Sequence, residues 1–150
     1  YKQAIYYSSK AVDINPLYLE AHFNLAFSYD ALNDYNSALY HYLEVIKINS
    51  NYENSYIKLG LLLSKNNKLE EGVMLLNEIA EKESRPKQIY LNIANLISRQ
   101  GEENIDLALV YFVKSFNQDK QDSVLCEHII KLYEMKSNQE KIDYYKGFIE

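Results

Sequence analysis

The feature that most constrains this chain is a repeat with a period of 34 residues. Three series of residues share the period: Ala4, Ala38 and Gly72; Leu25, Leu59 and Ile93; and Ala11, Val45 and Ile79. One recurring residue type could be chance, but several series with one period indicate a repeated supersecondary unit. Each such unit leaves an apolar face that only the next unit can cover, so the sequence predicts a stack of units.

Within one unit the apolar residues follow helical spacing. From residue 18 to residue 31 they fall on one face, a break follows at 32–34, and 35–48 reads as a second helix. Gly (4 residues) and Pro (2 residues) are scarce, which favours long helices joined by short turns. The recurring small residues stand where the two helices would cross closely. We therefore predict an all-α fold built from helical hairpins.

The repeat also predicts the boundaries of the hairpins. We expect one leading second-type helix at 1–14, followed by hairpins at 18–48, 52–82, 86–117 and 122–149, all in a single array over 1–150. Two additional residues are expected near 101–105, because Ala108 falls two places late relative to Gly72. The chain opens at Tyr1 within a predicted helix, so we expect it to belong to a longer protein.

The segment 21–29, followed by Tyr35, Ala38, Tyr42, Val45 and Ser50, resembles the tetratricopeptide repeat. That family has a large residue, Leu-Gly and Tyr on its first helix, and a small residue, an aromatic residue and Ala on its second. The slot where the family favours Trp holds His22, Tyr56, Tyr90 and Cys126. The resemblance covers nearly the whole chain and implies an α-α superhelix, the tetratricopeptide solenoid.

The resemblance also implies where a partner binds. In tetratricopeptide arrays the first helix of each repeat lines a concave groove, which holds a protein or peptide ligand. Carried onto this sequence, those slots give the following candidate binding residues: Phe23, Asn24, Phe27, Ile57, Lys58, Leu61, Lys65, Leu91, Asn92, Asn95, Arg99 and Lys131.

Two patterns stand out among these candidates. Phe23, Phe27, Ile57, Leu61 and Leu91 predict an apolar strip, and an exposed strip of this kind marks a binding site. Asn24, Lys58, Asn92 and His128 share one slot and can all donate hydrogen bonds, in partial likeness to the asparagine ladder of O-linked N-acetylglucosamine transferases. With the basic residues Lys58, Lys65, Arg99 and Lys131, they predict a ligand with apolar anchors and acidic character.

No arrangement typical of an enzyme is present in the sequence. The histidines at 22, 41 and 128 are far apart along the chain and in different helical slots, so we expect no metal site. The glycines do not form a phosphate-binding loop, and Glu70-Glu71 opens a helix, where the helix dipole favours negative charge. We therefore predict a non-catalytic protein without cofactors.

Charge and cysteine content restrict the partners and the compartment. A net charge of −5 is unlike that of nucleic-acid-binding proteins, which carry excess Lys and Arg to neutralise phosphate. A lone cysteine, Cys126, excludes an internal disulfide framework and predicts an intracellular, cytoplasmic location, with the nucleus left open. No apolar run approaches the roughly 20 residues of a membrane span, so we expect no membrane insertion.

Two alternative functions are left open by the sequence. The array could be a structural scaffold subunit of a large assembly, of the ubiquitin ligase or ciliary transport type. It could also be the substrate-recruiting arm of an enzyme, such as a glycosyltransferase, with its catalytic domain outside the fragment. The exposed ends of the array would further allow end-to-end self-association between chains. The identity of the partner is not contained in these residues.

Overall fold

The computed structural model describes residues 1–84 and 86–149, and within them every regular element is helical. The α-helices are α1 (Lys2–Ile14), α2 (Leu19–Ala31), α3 (Tyr35–Ile48), α4 (Glu53–Lys65), α5 (Leu69–Lys82), α6 (Lys87–Ser98), α7 (Ile105–Phe116), α8 (Ser123–Met135) and α9 (Gln139–Lys146). A short 3-10 helix at Glu102–Asn104 precedes α7. The all-α fold class predicted from the sequence is confirmed. Arg85, in the turn predicted between two hairpins, lies outside the described residues.

The chain divides into two compact units, Tyr1–Ile79 and Ala80–Glu150. In the first unit α1 packs on α2, α2 on α3, and α3 on α4. In the second unit α6 packs on α7, α7 on α8, and α8 on α9. Within each unit these helices contact the next one along the chain, which is the packing that a repeated helical hairpin produces.

The core of each hairpin is built from the slots that the repeat identified. The slot of the family's Trp is buried in all four cases, by His22, Tyr56, Tyr90 and Cys126. The small residues Ala38, Gly72 and Ala108 are buried as well, whereas Ala4 on α1 is exposed. At Gly72 an added Cβ would come within 2.9 Å of three side-chain carbons of Leu63. The lack of a side chain at Gly72 thus lets α5 approach α4 closely.

The turn inside each hairpin requires a residue with positive φ. Asn33 (φ 60°), Asn67 (φ 53°) and Ser137 (φ 53°) occupy the left-handed region, and Gly101 (φ 134°) stands one period after Asn67. Asn and Gly tolerate this backbone better than other residues. The 36-residue step from Gly101 to Ser137 reflects the inserted residues, which form the 3-10 helix.

The last hairpin departs from the others in its second helix. Ile142 is buried in the slot that holds a small residue elsewhere. The exposed Lys146 leaves the aromatic slot empty, and Tyr145 fills the space instead, with its ring 5.7 Å from that of Phe116 and stacked at 5.8 Å on that of Tyr133. α9 is also short, with 8 residues from Gln139 to Lys146.

Candidate partner-binding surface

The predicted binding residues of the first unit lie on α2 and α4, which contact each other. Phe27 is 42% exposed and Leu61 is 59% exposed, although both are large apolar side chains. They stand 34 residues apart, in the same slot of successive first helices. Asn24 is exposed beside them, whereas Ile57 and Lys58 are half-buried. The two helices thus present an apolar surface with polar groups at its side.

Aromatic contacts and a cation organise this surface. The ring of Tyr1 lies 6.0 Å from that of Phe27, and the Lys58 ammonium lies 5.5 Å from the centre of the same Phe27 ring. A cation at this distance is attracted by the face of the ring. Lys58 therefore brings a positive charge directly to the edge of the apolar surface.

Phe23 has a different role from Phe27. It is half-buried, and its ring packs edge-on against Tyr42 at 5.9 Å and against Tyr52 at 5.4 Å. Tyr42 belongs to α3, so Phe23 helps to hold the two helices of the hairpin together. Phe23 therefore packs beneath the exposed surface and contributes to it mainly by holding these helices in place.

The basic edge of the first unit is partly neutralised within the chain. The Lys65 ammonium donates to Asn33 Oδ1 at 2.7 Å and lies 3.5 Å from Asp30 Oδ1. These contacts join the end of α4 to the end of α2. Because Asp30 already offsets its charge, Lys65 adds less to the field at the surface than Lys58 does.

The predicted residues of the second unit differ in exposure. Asn95, Arg99 and Lys131 are exposed and Leu91 is half-buried. Asn92 is buried, and its side-chain oxygen accepts a hydrogen bond from Gln88 Nε2 at 3.2 Å. Of the four hydrogen-bonding residues that share one slot, Asn24 and His128 are exposed, Lys58 is half-buried, and Asn92 is covered.

A pair of histidines that are distant in sequence meets inside the first unit. His22 Nδ1 lies 3.0 Å from His41 Nδ1, and His22 Nε2 lies 3.0 Å from the carbonyl oxygen of Pro16. That carbonyl can only accept, so Nε2 of His22 carries the proton and Nδ1 of His41 is the donor. The Tyr29 ring stacks on His41 at 5.7 Å. The sequence placed His22 in the slot of the family's Trp, but it did not reveal the partner 19 residues away.

Other polar groups are engaged in structural contacts. The Cys126 thiol is fully buried and donates to the carbonyl oxygen of Tyr145 at 3.2 Å, and burial raises the pKa of this thiol. The Lys87 ammonium lies 2.8 Å from both Asp119 and Asp122, and these hydrogen bonds raise its pKa. Among the described residues, no three His, Cys, Asp or Glu side chains are grouped so that they could hold a metal ion.

A cavity of about 370 Å³ opens between α7 and α8, lined by Asp106, Leu109, Val110, Val113, Lys114 and Tyr133. Asp106 is already paired with the Lys136 ammonium at 2.7 Å. The remaining lining is mainly apolar, so the cavity contains no set of converging polar groups of the kind that orients a small ligand.

No helix within the described residues is both long enough and apolar enough to cross a membrane.

The candidate surface therefore consists of two exposed apolar side chains, Phe27 on α2 and Leu61 on α4, with the Lys58 ammonium beside them.

Comparisons with known proteins agree with this architecture. Residues 19–52, which hold α2 and α3, match the sequence model of the family described as "Tetratricopeptide repeat". The structure of MamA is similar with a TM-score of 0.54 at 16% identity, over 96% of this chain and 83% of that one. A MamA from Desulfovibrio magneticus RS-1 gives a TM-score of 0.51 at 14% identity, over 97% of this chain and 81% of that one.

A thermophilic TPR protein from Thermus thermophilus is also similar, with a TM-score of 0.51 at 19% identity. That similarity covers 86% of this chain and 71% of the other. At such low identities the likeness extends to the fold alone. Comparison with curated protein sequences gives no match.

Proposed function

We propose that this chain, which contains a tetratricopeptide repeat and has the fold of a tetratricopeptide solenoid, is a non-catalytic module that binds a partner peptide on the surface of its first helices. The observation that carries the proposal is the exposure of Phe27 and Leu61 in one slot of two contacting helices. Single exposed apolar side chains are common, but neighbouring ones that form a contiguous patch mark an interaction site.

The chemistry of the surface suggests the ligand. Phe27 and Leu61 offer two adjacent apolar contacts, which suit two apolar side chains of a peptide. The Lys58 ammonium beside the Phe27 ring would attract a carboxylate, and the exposed Asn24 amide can pair with the N–H and C=O groups of a peptide backbone. The proposed ligand is therefore a peptide with apolar anchors and a nearby acidic residue.

The test uses a phage-displayed random peptide library selected on the immobilised chain. Fluorescence polarisation then measures the affinity of the selected peptides for Phe27→Ser, Leu61→Ser and Lys58→Glu. We expect apolar and acidic residues in the selected peptides, and a loss of affinity of about tenfold or more for each variant.

Leu32→Ser is the matched control, because Leu32 is 45% exposed but stands in the turn after α2. It should leave the affinity unchanged. Selected peptides that bind Phe27→Ser and Leu61→Ser as tightly as the unmodified chain would place the interface elsewhere and reject the proposal. A failure to select any peptide would also count against it.

A further inference from the structure

The leading helix α1 and the second helix of every hairpin expose a large apolar side chain in one and the same slot. These residues are Tyr6 (54% exposed), Tyr40 (56%), Met74 (66%), Val110 (50%) and Tyr144 (55%). They follow one another at the repeat period, lengthened by two residues only at the insertion near Gly101. We call the three of the first unit, Tyr6, Tyr40 and Met74, the outer stripe. Packing inside the hairpins does not explain why this slot is apolar, because its side chain is exposed in all five helices.

The charges beside the outer stripe change sign across the first unit. One turn before and after Tyr6, α1 carries Lys2 and Lys10. The equivalent positions around Met74 in α5 are Glu70 and Glu78. All four charged side chains are exposed, and among the described residues none of them takes part in an ion pair.

Between these two helices, α3 is nearly neutral at the same slots. Its residues there are Asn36 and Glu44, and the Glu44 carboxylate is paired with the Lys47 ammonium at 2.6 Å. The repeat places these slots on equivalent faces of α1, α3 and α5. The slots are basic on α1, nearly neutral on α3 and acidic on α5, with an exposed apolar residue at the centre of each helix.

A surface of this kind is complementary to itself. In a two-fold symmetric dimer the same patch contacts its own copy, so residue i meets residue j and j meets i. Suppose that the two-fold axis runs parallel to α3, between the two copies of that helix. The α1 helix of one chain then lies against the α5 helix of the other, and the two helices run in the same direction with their equivalent slots side by side. Lys2 then faces Glu70, Tyr6 faces Met74, and Lys10 faces Glu78, while Tyr40 meets its own copy at the axis.

The charges also select this arrangement over its alternative. A two-fold axis across the helices would place α1 against α1 and α5 against α5. That pairing would bring Lys2 toward Lys10 and Glu70 toward Glu78, and like charges across an interface are unfavourable. From the apolar stripe and the opposed charges we propose that the chain forms a homodimer through the outer stripe of α1, α3 and α5.

This proposal is independent of the peptide-binding surface, which lies on α2 and α4. Its test is the molar mass of the 150-residue chain in solution, by sedimentation velocity over a range of concentrations. We expect a concentration-dependent species of twice the 17.6 kDa chain, weakened by added salt because opposed charges hold it. A chain that stays monomeric throughout overturns the proposal.

Paired charge reversals give the sharpest test. The double variant Glu70→Lys/Glu78→Lys makes α5 basic, and Lys2→Glu/Lys10→Glu makes α1 acidic. Each variant alone should dimerise more weakly, with a dissociation constant raised by about tenfold or more, because like charges then face each other at both contacts. An equimolar mixture of the two should dimerise again, because every basic helix then faces an acidic one.

Recovery in the mixture also demonstrates that both variants are folded. Glu127→Lys/Glu134→Lys, on the exposed side of α8, makes the same change in net charge and should leave the dimer intact. Tyr40→Glu, which places two carboxylates at the axis, should abolish it. A mixture that remains monomeric, or a dimer that survives both charge reversals, overturns the proposed interface.

Discussion

At the scale of single residues, the histidine pair of the first unit shows how a polar group is accommodated in a helical core. The space between the two Nδ1 atoms, 3.0 Å apart, holds one proton. A second proton there would set two donors against each other, with no acceptor between them. Burial, followed by the nearby His22, lowers the pKa of His41 to about 4, and Glu44 opposes this shift.

This lowered pKa predicts that the folded chain loses stability in mild acid. In the unfolded chain a histidine titrates near its ordinary pKa of about 6.5, whereas folded His41 remains neutral down to about pH 4. The unfolded state therefore binds more protons in this range, and the free energy of unfolding should fall as the pH drops from about 6.5 to about 4. We expect a loss on the order of 1–2 kcal/mol, reduced by the partial exposure of His41.

Urea unfolding at a series of pH values measures this loss. His41→Gln keeps a hydrogen-bond donor for His22 but cannot titrate, so its stability should depend less on pH over the same range. If unmodified chain and variant lose stability in parallel between pH 6.5 and 4, His41 is not the group responsible.

At the scale of helices, each element ends where the repeat places a turn-forming residue. Asn15, Asn49 and Asp119 accept hydrogen bonds from the backbone N–H two residues later, which closes the turn between hairpins. Asp34 caps α3 by accepting from the backbone of Ser37, and Asn138 caps α9 in the same way. Many of the abundant Asn residues therefore have a local structural role.

The crossing of α4 and α5 leads to a prediction at this scale. Gly72→Ala should destabilise the chain by about 1–2 kcal/mol, because its Cβ would overlap the buried Leu63 side chain even though Ala favours a helix. In a Leu63→Ala background the overlap is removed, so the same substitution should become neutral or stabilising. Thermal or urea unfolding of the four chains in this cycle measures the change of sign.

Gly147→Ala is the matched control for that cycle, since an added Cβ would be in ordinary contact, 3.6 Å from the Tyr144 carbonyl oxygen. Its effect on stability should be small. Equal destabilisation by Gly72→Ala in both backgrounds would mean that Leu63 is not the obstacle, and that the helix crossing does not depend on the missing side chain.

At the scale of the whole molecule, the distribution of charge restricts the classes of partner. The net charge is −5, and several basic side chains are already offset by carboxylates. Lys65 lies near Asp30, Lys87 bridges two aspartates, and Lys136 pairs with Asp106. Other cations, among them Lys58 on α4 and Lys2 and Lys10 on α1, lie on different helices and do not outweigh the acidic residues, whereas binding a polyanion requires an excess of positive charge.

The chain should therefore not bind nucleic acid. At physiological salt we expect no saturable binding of double-stranded DNA or RNA even at about 10⁻⁴ M, the weak limit of non-specific binding. A gel-shift titration, repeated at low salt, measures this. Saturable binding that weakens as salt increases would show that the exposed Lys and Arg residues act together against the net charge.

The sequence was sufficient for the all-α fold, and it also gave the equivalent slots of two side chains that the structure exposes. The spacing of Leu25, Leu59 and Ile93 predicted buried core slots, and all three are buried. The same register predicted that Phe27 and Leu61 occupy equivalent slots, and both are exposed. These features depend on contacts within a helix, within a hairpin or with the next repeat. Such contacts recur in every repeat, so they produce the 34-residue period of the sequence.

Burial and pairing at particular side chains were decided only by the tertiary structure. The period gives Asn24 and Asn92 the same slot, yet Asn24 is exposed and Asn92 is buried. The contact between His22 and His41, and the packing of Phe23 on Tyr42 and Tyr52, are likewise not encoded in the repeat. A repeat determines the slot of a residue, but which atoms meet in that slot depends on the size and rotamers of non-repeating neighbours.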